Sequence, residues 1–303
     1  MTSFSTLTDH AGWQRDFEQR MRASYRAGGF SEVAAEHKVG TMLGGLEDCT
    51  VAEVGEGGAR VGFVAVTVAD DHGTLRGRVV DLRIDPDHGG RGHEQAARDW
   101  AERYCAERGA VRLAVQLAEP TTLFDDYPLR AQTRMRAGIE ATPLPDGFSV
   151  RPMTPAEYAL WLAEERTSYG ATIAEVGALD PAHAQRRADR EFAESMPQGQ
   201  DTPDHTFLVL EMAGVPIGTG WLKHGFHPGV TFGYALRIDQ KYRGRGYGRV
   251  AMAVGAQATV AAGDSALLFN VFGGNTVAMN LYDSAGFRVV DEVRSIDLPR
   301  AEP

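Results

Sequence analysis

The chain has little cysteine, no long apolar run and no excess of positive charge. Its two cysteines, Cys49 and Cys105, fall in segments read as a strand and a helix. Neither has a second Cys or His at metal-ligand spacing, so nothing points to a disulfide framework or a metal site, and a reduced thiol in a cytoplasmic protein is expected. No stretch approaches the ~18 consecutive apolar residues that a bilayer span requires. The opening MTSFSTLTDH carries neither the basic nor the apolar segment of a secretory signal. A formal net charge of -10 argues against a general affinity for nucleic acid phosphates or for acidic membranes. It is compatible with drawing in a small cationic amine, although net charge by itself identifies no ligand.

What is present is the composition of a soluble globular protein, 43% hydrophobic and 24% charged. The length of 303 residues suffices for two cores of about 150 residues each. A stretch with two prolines and a glycine, from Thr142-Pro143-Leu144-Pro145 to Asp146-Gly147, has the look of a connector. It predicts a linker at 142–147 between domains at 1–141 and 148–303.

The same programme is written on both sides of it. In the second half, FSVRPM is a strand, and Thr154-Pro155-Ala156-Glu157 is an N-cap, a first-turn proline and a capping-box glutamate. A second helix should open at Asp180-Pro181 and run to about Ser195. Strands near Thr206–Met212, Ile217–His224 and Val230–Asp239 form an antiparallel meander. A helix from about Gly246 to Ala262, a strand at Ala266–Phe272, a short helix at Thr276–Ala285 and a strand at Phe287–Leu298 complete it. The first half repeats the order, with helices in 10–45, strands near 49–55, 60–69 and 75–85, a helix near 93–108, a strand at Val111–Leu117 and a weak helix near 121–127. Leu82-Arg83-Ile84-Asp85 recurs as Leu236-Arg237-Ile238-Asp239, and duplication is the economical explanation.

The chemistry sits after the strand Val230–Asp239, where Arg243-Gly244-Arg245-Gly246-Tyr247-Gly248-Arg249 leads into a helix. Glycines at a strand-to-helix turn let backbone approach a ligand closely, and the unpaired N–H groups at a helix start bind phosphate oxygens. Three arginines add charge suited to a pyrophosphate. A Walker loop would need Gly-Lys-Ser/Thr, and a dinucleotide fingerprint a glycine where Arg249 stands. What remains is R-x-x-G-x-G, carried by Arg243, Gly246 and Gly248. A second block, Asn275-Thr276-Val277-Ala278-Met279-Asn280-Leu281-Tyr282-Asp283-Ser284-Ala285-Gly286-Phe287, follows after a helix and a strand. With both blocks in this order the chain resembles the GNAT superfamily of N-acyltransferases.

The resemblance implies an α/β fold of the α+β type: two tandem GNAT domains, each a mixed, mostly antiparallel splayed sheet flanked by helices. It implies an acyl-coenzyme A co-substrate, acetyl-coenzyme A in the leading reading, and a small-molecule amine acceptor. The strand Tyr234–Ile238 and the strand Ala266–Phe272 should splay apart around the pantetheine arm. Leu236, Arg237 and Ile238 would supply backbone partners, Arg243, Gly244, Arg245, Gly246, Tyr247, Gly248 and Arg249 the pyrophosphate turn, and Asn275 a hydrogen bond to pantetheine. Tyr282 is expected to protonate the leaving thiolate, since a phenol with a pKa of about 10 stays protonated at neutral pH. The base that takes the amine proton is open among His224, His227 and Glu211. Glu164 or Glu165 is a candidate to meet a cationic amine.

In the first half, Gly89 stands where Arg243 does and Glu94 replaces Gly248, putting a carboxylate where a pyrophosphate would lie. Phe124 aligns with Tyr282 and Pro128 with Gly286, so the proton donor is missing. Residues 1–141 are therefore expected to be a degenerate copy that helps wall the acceptor site. The tandem layout is similar to that of the mycothiol synthase family, without singling out its acceptor. Two further readings stand beside the leading one, an acyltransferase using an acyl-carrier protein as donor and a non-catalytic acyl-coenzyme A-binding regulatory module. The oligomeric state is open.

Overall fold

The computed structural model describes residues 1–299 other than 47, 72, 178 and 179. Contacts divide the chain into unit 1, Met1–Gln132 with Val289–Pro303, and unit 2, Thr133–Arg288. The stretch 142–147 thus lies within unit 2, and the last strand belongs to unit 1.

Unit 1 runs β1 (Thr2–Thr6), α1 (Ala11–Ala27), α2 (Glu32–Leu43), β2 (Thr50–Glu56), β3 (Ala59–Asp70), β4 (Leu75–Ile84), α3 (His93–Glu107) and β5 (Arg112–Leu117). Next come β6 (Leu129–Ala137), β7 (Phe148–Pro152), α4 (Pro155–Gly177), α5 (Pro181–Ser195), β8 (His205–Met212), β9 (Val215–His227), β10 (Val230–Ile238), α6 (Tyr247–Ala261), β11 (Ala266–Phe272), α7 (Thr276–Ser284) and β12 (Arg288–Asp297). Strand order in unit 1 is β1-β2-β3-β4-β5-β12, and in unit 2 β6-β11-β10-β9-β8-β7. The last strand joins unit 1 because its backbone pairs antiparallel with β5, from Glu292↔Leu117 to Asp297↔Arg112. With helices packed on mixed sheets, the fold is α+β.

Local signals set the helix starts. Thr154 and Glu157 form the reciprocal capping box ahead of α4: Thr154 N donates to Glu157 Oε2 at 2.8 Å, and Glu157 N donates to Thr154 Oγ1 at 3.3 Å. Arg151 also clamps the Glu157 carboxylate through its Nη atoms at 2.7 and 2.8 Å, which holds that acid down at a pKa of about 2. Asp180 caps α5 by accepting from His183 N at 3.0 Å. α5 then buries Ala184, Ala188 and Phe192, four residues apart on one face. The expected helix near 121–127 is instead a series of turns, closed by Asp125 N to Thr122 O and Tyr127 N to Phe124 O. Pro120 and Pro128 bracket too short a stretch for an isolated helix to nucleate there.

Both units splay at the same place. In unit 2, β10 and β11 pair in parallel only from Val230↔Ala266 to Gly233↔Phe269, although both strands run on. A register shift against β9 between Gly233 and Ala235 leaves Tyr234 as a bulged residue at that point. In unit 1, β4 and β5 pair from Arg76↔Arg112 to Val79↔Val115, and the shift against β3 leaves out Val80. The close approaches match as well: a Cβ on Gly62 would lie 2.2 Å from Arg83 O, and one on Gly218 would lie 2.3 Å from Arg237 O.

The two thiols are buried, and that burial pushes both up to a pKa of about 12, as suits inert core groups. Among the described residues no helix is long and apolar enough to cross a membrane, and no group of three His, Cys, Asp or Glu is placed to hold a metal ion.

Candidate active site

Beyond Gly233 the β11-facing edge of β10 has no partner strand among the described residues, so the segment Tyr234–Ile238 presents unpaired backbone toward the gap. Its side chains alternate. Leu236 packs with the α6 side of the sheet, where a Cβ on Gly255 would meet its Cδ2 at 3.1 Å. Ala235 and Arg237 face α4, Arg237 through an ion pair with Glu165 at 2.7 Å. Ile238 is buried, and its carbonyl accepts from Arg243 Nε at 2.9 Å. That bond fastens the following turn to the end of the splayed strand.

The turn itself is built from left-handed glycines. Gly244 has φ +77 and Gly246, the residue before α6, has φ +82, conformations that other residues adopt only with strain. A Cβ at either would meet nothing within 4 Å, so this side of the turn is open. No side chain caps α6, which leaves its first N–H groups and dipole free for an anion. Arg245 and Arg249 are exposed, Arg245 with its guanidinium 5.9 Å from the Tyr242 ring centroid. Tyr247 is half-buried against Phe148. An open cradle of N–H groups with arginines beside it, at the mouth of a splay, is suited to a phosphate-bearing anion.

In unit 1 the same turn exists, with φ +74 at Gly90 and +84 at Gly92. There Glu94 Oε1 accepts from Gly90 N at 3.2 Å, so the protein's own carboxylate sits in the anion position.

At the apex of the gap in unit 2, Phe269 lies over Gly233, where a Cβ would fall 1.9 Å from its ring. Tyr282, on α7, stacks on Phe269 with centroids 5.1 Å apart and contacts Phe287 at 5.5 Å. Its residue is 9% exposed, and burial raises the phenol to a pKa of about 12, opposed by Arg134. Arg134 on β6 is itself buried and reaches Met279 O and the Asp283 carboxylate, pinning α7. Gly233 and Arg134 carry no motif signal, and only the packing reveals them. Gly233→Ala is expected to drive the Phe269 ring from its place and to cost about 1–3 kcal/mol, measured by urea denaturation. Asn275 caps α7, its Oδ1 accepting from Ala278 N at 3.1 Å, which leaves its amide nitrogen to donate.

The candidate bases fall elsewhere. His224 and His227 belong to β9, not to a loop, at the end where β10 still pairs with β11. His224 has both ring nitrogens committed, Nε2 with Thr206 Oγ1 at 2.9 Å and Nδ1 with Thr231 Oγ1 at 3.0 Å. Burial lowers its pKa, and His227 is 6% exposed. Glu211 is tied to Arg151 Nε at 2.8 Å. The ring of His224 and the carboxylate of Glu211 are thus committed to bonds within the scaffold. Of the two helix carboxylates, Glu164 faces solvent and Glu165 faces the sheet.

On that face an aromatic wall rises from Trp161, Phe192, Phe207 and Trp221, with Tyr234 stacked on Trp221 at 4.0 Å. His205 belongs to it, its Nδ1 accepting from Trp221 Nε1 at 2.8 Å. Burial, and then Lys223, lowers this imidazole from 6.5 to about 4. The unfolded chain therefore binds more protons between those pH values. The stability from neutral His205 is complete above about pH 6.5 and is lost as the pH falls toward 4. A His205→Asn variant should show a shallower fall in urea midpoint over that window than the parent protein.

The sequence profile of the Acetyltransferase (GNAT) family matches residues 173–287. The chain is 31% identical over 148 residues to the uncharacterized N-acetyltransferase YycN of Bacillus subtilis, spanning 48% of this chain and 94% of that protein. It is 28% identical over 242 residues to a mycothiol acetyltransferase of Streptomyces avermitilis, spanning 74% of this chain and 73% of that one. In fold it is similar to a GCN5-related N-acetyltransferase from Sphaerobacter thermophilus, with TM-score 0.56 and 17% identity over 100% of this chain and 98% of the other. A tandem GNAT protein from the clavulanic acid biosynthesis pathway gives TM-score 0.51 at 15% identity, over the whole of both chains. The two splayed sheets are thus a tandem GNAT layout, and the chain belongs to the GNAT family of N-acetyltransferases.

Proposed function

We propose that unit 2 moves an acetyl group from acetyl-coenzyme A to the primary amine of a small molecule by direct attack, and that unit 1 is a degenerate GNAT domain that binds no coenzyme. The observation that carries this reading is the open, arginine-flanked turn at the end of the unpaired segment Tyr234–Ile238. The S. avermitilis relative, matched across 74% of this chain, supports an acetyl donor.

In this reading the N–H groups from Gly244 to Arg249 and the α6 dipole hold the pyrophosphate. Arg243 stiffens the turn through Ile238 O, while Arg245 and Arg249 supply positive charge. The backbone of Leu236, Arg237 and Ile238 receives the pantetheine arm, and the Asn275 amide nitrogen donates to it. The bound coenzyme supplies a thioester carbonyl. A backbone N–H of the unpaired segment stabilises the developing oxyanion. Tyr282 donates its proton to the departing sulfur, and burial keeps that phenol protonated throughout the neutral range. In unit 1, Glu94 fills the corresponding cradle and Phe124 has no hydroxyl to give.

The test is incubation of the full chain with acetyl-coenzyme A and a panel of amines, following free thiol. Amine-dependent thiol release is expected. Absence of both coenzyme binding and thiol release would overturn the assignment.

A further inference from the structure

Three buried polar atoms on the α4 face of unit 2 have no hydrogen-bond partner among the described residues: Trp161 Nε1, Glu165 Oε1 and Thr219 Oγ1. The fold gathers them. Trp161 and Glu165 are one turn apart on α4. Thr219 stands directly across from Arg237 in the β9–β10 ladder, and Arg237 Nη1 is 2.7 Å from Glu165 Oε1. Trp161 packs on Trp221, two residues along β9 from Thr219, at 5.7 Å. The Glu165 oxygen is held near Arg237 by charge, without the directed geometry of a hydrogen bond.

A buried polar group without a partner is costly, and three gathered in one place call for an explanation such as a bound ligand. The set is complementary: a carboxylate oxygen that can accept from a donor besides the ion-paired Arg237, an indole N–H that needs an acceptor, and a hydroxyl that can do both. They lie against the splayed part of β10, on the face opposite Tyr282.

Resting on the acetyltransferase reading above, we propose that this cluster is the acceptor site: Glu165 receives the amine and takes its proton, while Trp161 Nε1 and Thr219 Oγ1 select an acceptor that also carries a hydroxyl or carboxylate oxygen. The step balances. The amine nitrogen forms a bond to the thioester carbon, its proton passes to the Glu165 carboxylate, the carbon–sulfur bond breaks, and the thiolate takes the Tyr282 proton. The products are an N-acetyl amide and free coenzyme A, and the proton on Glu165 returns to Tyr282 through solvent. Burial raises the Glu165 acid above the ordinary carboxylate range, Arg237 on β10 opposes that shift, and Glu164 on its own helix adds to it. On the neighbouring α5, Glu191 is already engaged by the Tyr169 hydroxyl at 2.6 Å. A carboxylate poised in this way accepts a proton more readily than an exposed one.

The experiment uses the full chain with acetyl-coenzyme A, comparing Glu165→Gln and Arg237→Met with the parent protein on ethanolamine, serine, glucosamine, ethylamine and butylamine. Glu165→Gln should lower kcat about 10²- to 10⁴-fold with coenzyme affinity unchanged, and should lose the acid limb of the kcat/KM profile. Arg237→Met, which removes the charge that lowers the Glu165 acid, should move that limb to higher pH, and an unmoved limb overturns Glu165 as its source. The oxygen-bearing amines should exceed the alkyl amines by about tenfold or more in kcat/KM, the worth of one hydrogen bond. A parent protein that turns over amines while Glu165→Gln stays within about threefold of it, or retains its acid limb, overturns Glu165 as the base. Equal rates for alkyl amines overturn the oxygen selection. A parent protein that releases no thiol with any amine defeats the acetyltransferase reading instead.

Discussion

Replacing Gly248 with glutamate is expected to abolish coenzyme binding while the fold survives. Unit 1 performs the equivalent experiment on itself: Glu94, at the position of Gly248, reaches back four residues to accept from Gly90 N. The backbone needed for that contact exists in unit 2, since Gly244 and Gly246 carry φ +77 and +82 where Gly90 and Gly92 carry +74 and +84. A glutamate at 248 would accept from Gly244 N and place negative charge against the pyrophosphate. Two like charges 4 Å apart at an effective dielectric of 20 repel by about 4 kcal/mol, enough to weaken binding by ~100-fold or more. The side chain enters a helix and displaces nothing rigid, because a Cβ there meets the two Leu281 methyls, at 3.2 and 3.6 Å. Gly248→Ala separates charge from bulk and should bind within a few-fold of the parent protein. Calorimetric titration with acetyl-coenzyme A reads both variants.

Tyr282→Phe is expected to lower kcat by about 10²- to 10³-fold with little change in coenzyme affinity or stability. The ring is what packs, stacked on Phe269 and tilted on Phe287, and phenylalanine keeps that ring. Its hydroxyl makes no side-chain hydrogen bond among the described residues, so its removal strands no partner. What disappears is the proton for the leaving thiolate. Because burial holds this phenol at about 12, the parent enzyme should show no alkaline loss of activity from Tyr282 below about pH 11. Steady-state kinetics with a thiol-reactive reporter, alongside a thermal melt, separates the chemical effect from an unfolded variant. Unchanged turnover would reassign the acid.

The pieces legible in the sequence were those written in local chemistry. The capping box at Thr154 and Glu157, the cap at Asp180, the meander and the glycine turn each depend on residues within a few positions of one another, and all stand where their patterns put them. β6 does alternate apolar and polar residues from Leu129 to Ala137, but it was missed because three arginines and Gln132 on its polar parity make the stretch read as an exposed connector. Arg134 is nonetheless buried, its charge met by Asp283 on α7, a partner far away in sequence. β1 was missed because Thr2–Thr6 has only one large apolar residue, Phe4, and acquires its form by pairing with β2. The place of β12 beside β5 is set by ladder hydrogen bonds to a distant strand, which no periodicity records. In the site, the motif residues could be named from their spacing, whereas separating Glu165 from Glu164 required knowing which face of α4 meets the sheet. His224 misled because a β-meander residue near a turn looks exposed, whereas Thr206 and Thr231 hold both its ring nitrogens and Asp264 in turn accepts from Thr231.

Hydrogen exchange of the full chain with and without acetyl-coenzyme A, resolved to peptides by mass spectrometry, asks directly where a coenzyme docks. Slowed exchange at Tyr234–Ile238 and Arg243–Arg249, with no change at Val80–Ile84 and Gly89–Glu94, is the predicted result. Protection of the unit 1 turn in place of the unit 2 turn, or coenzyme binding that protects neither, would contradict it.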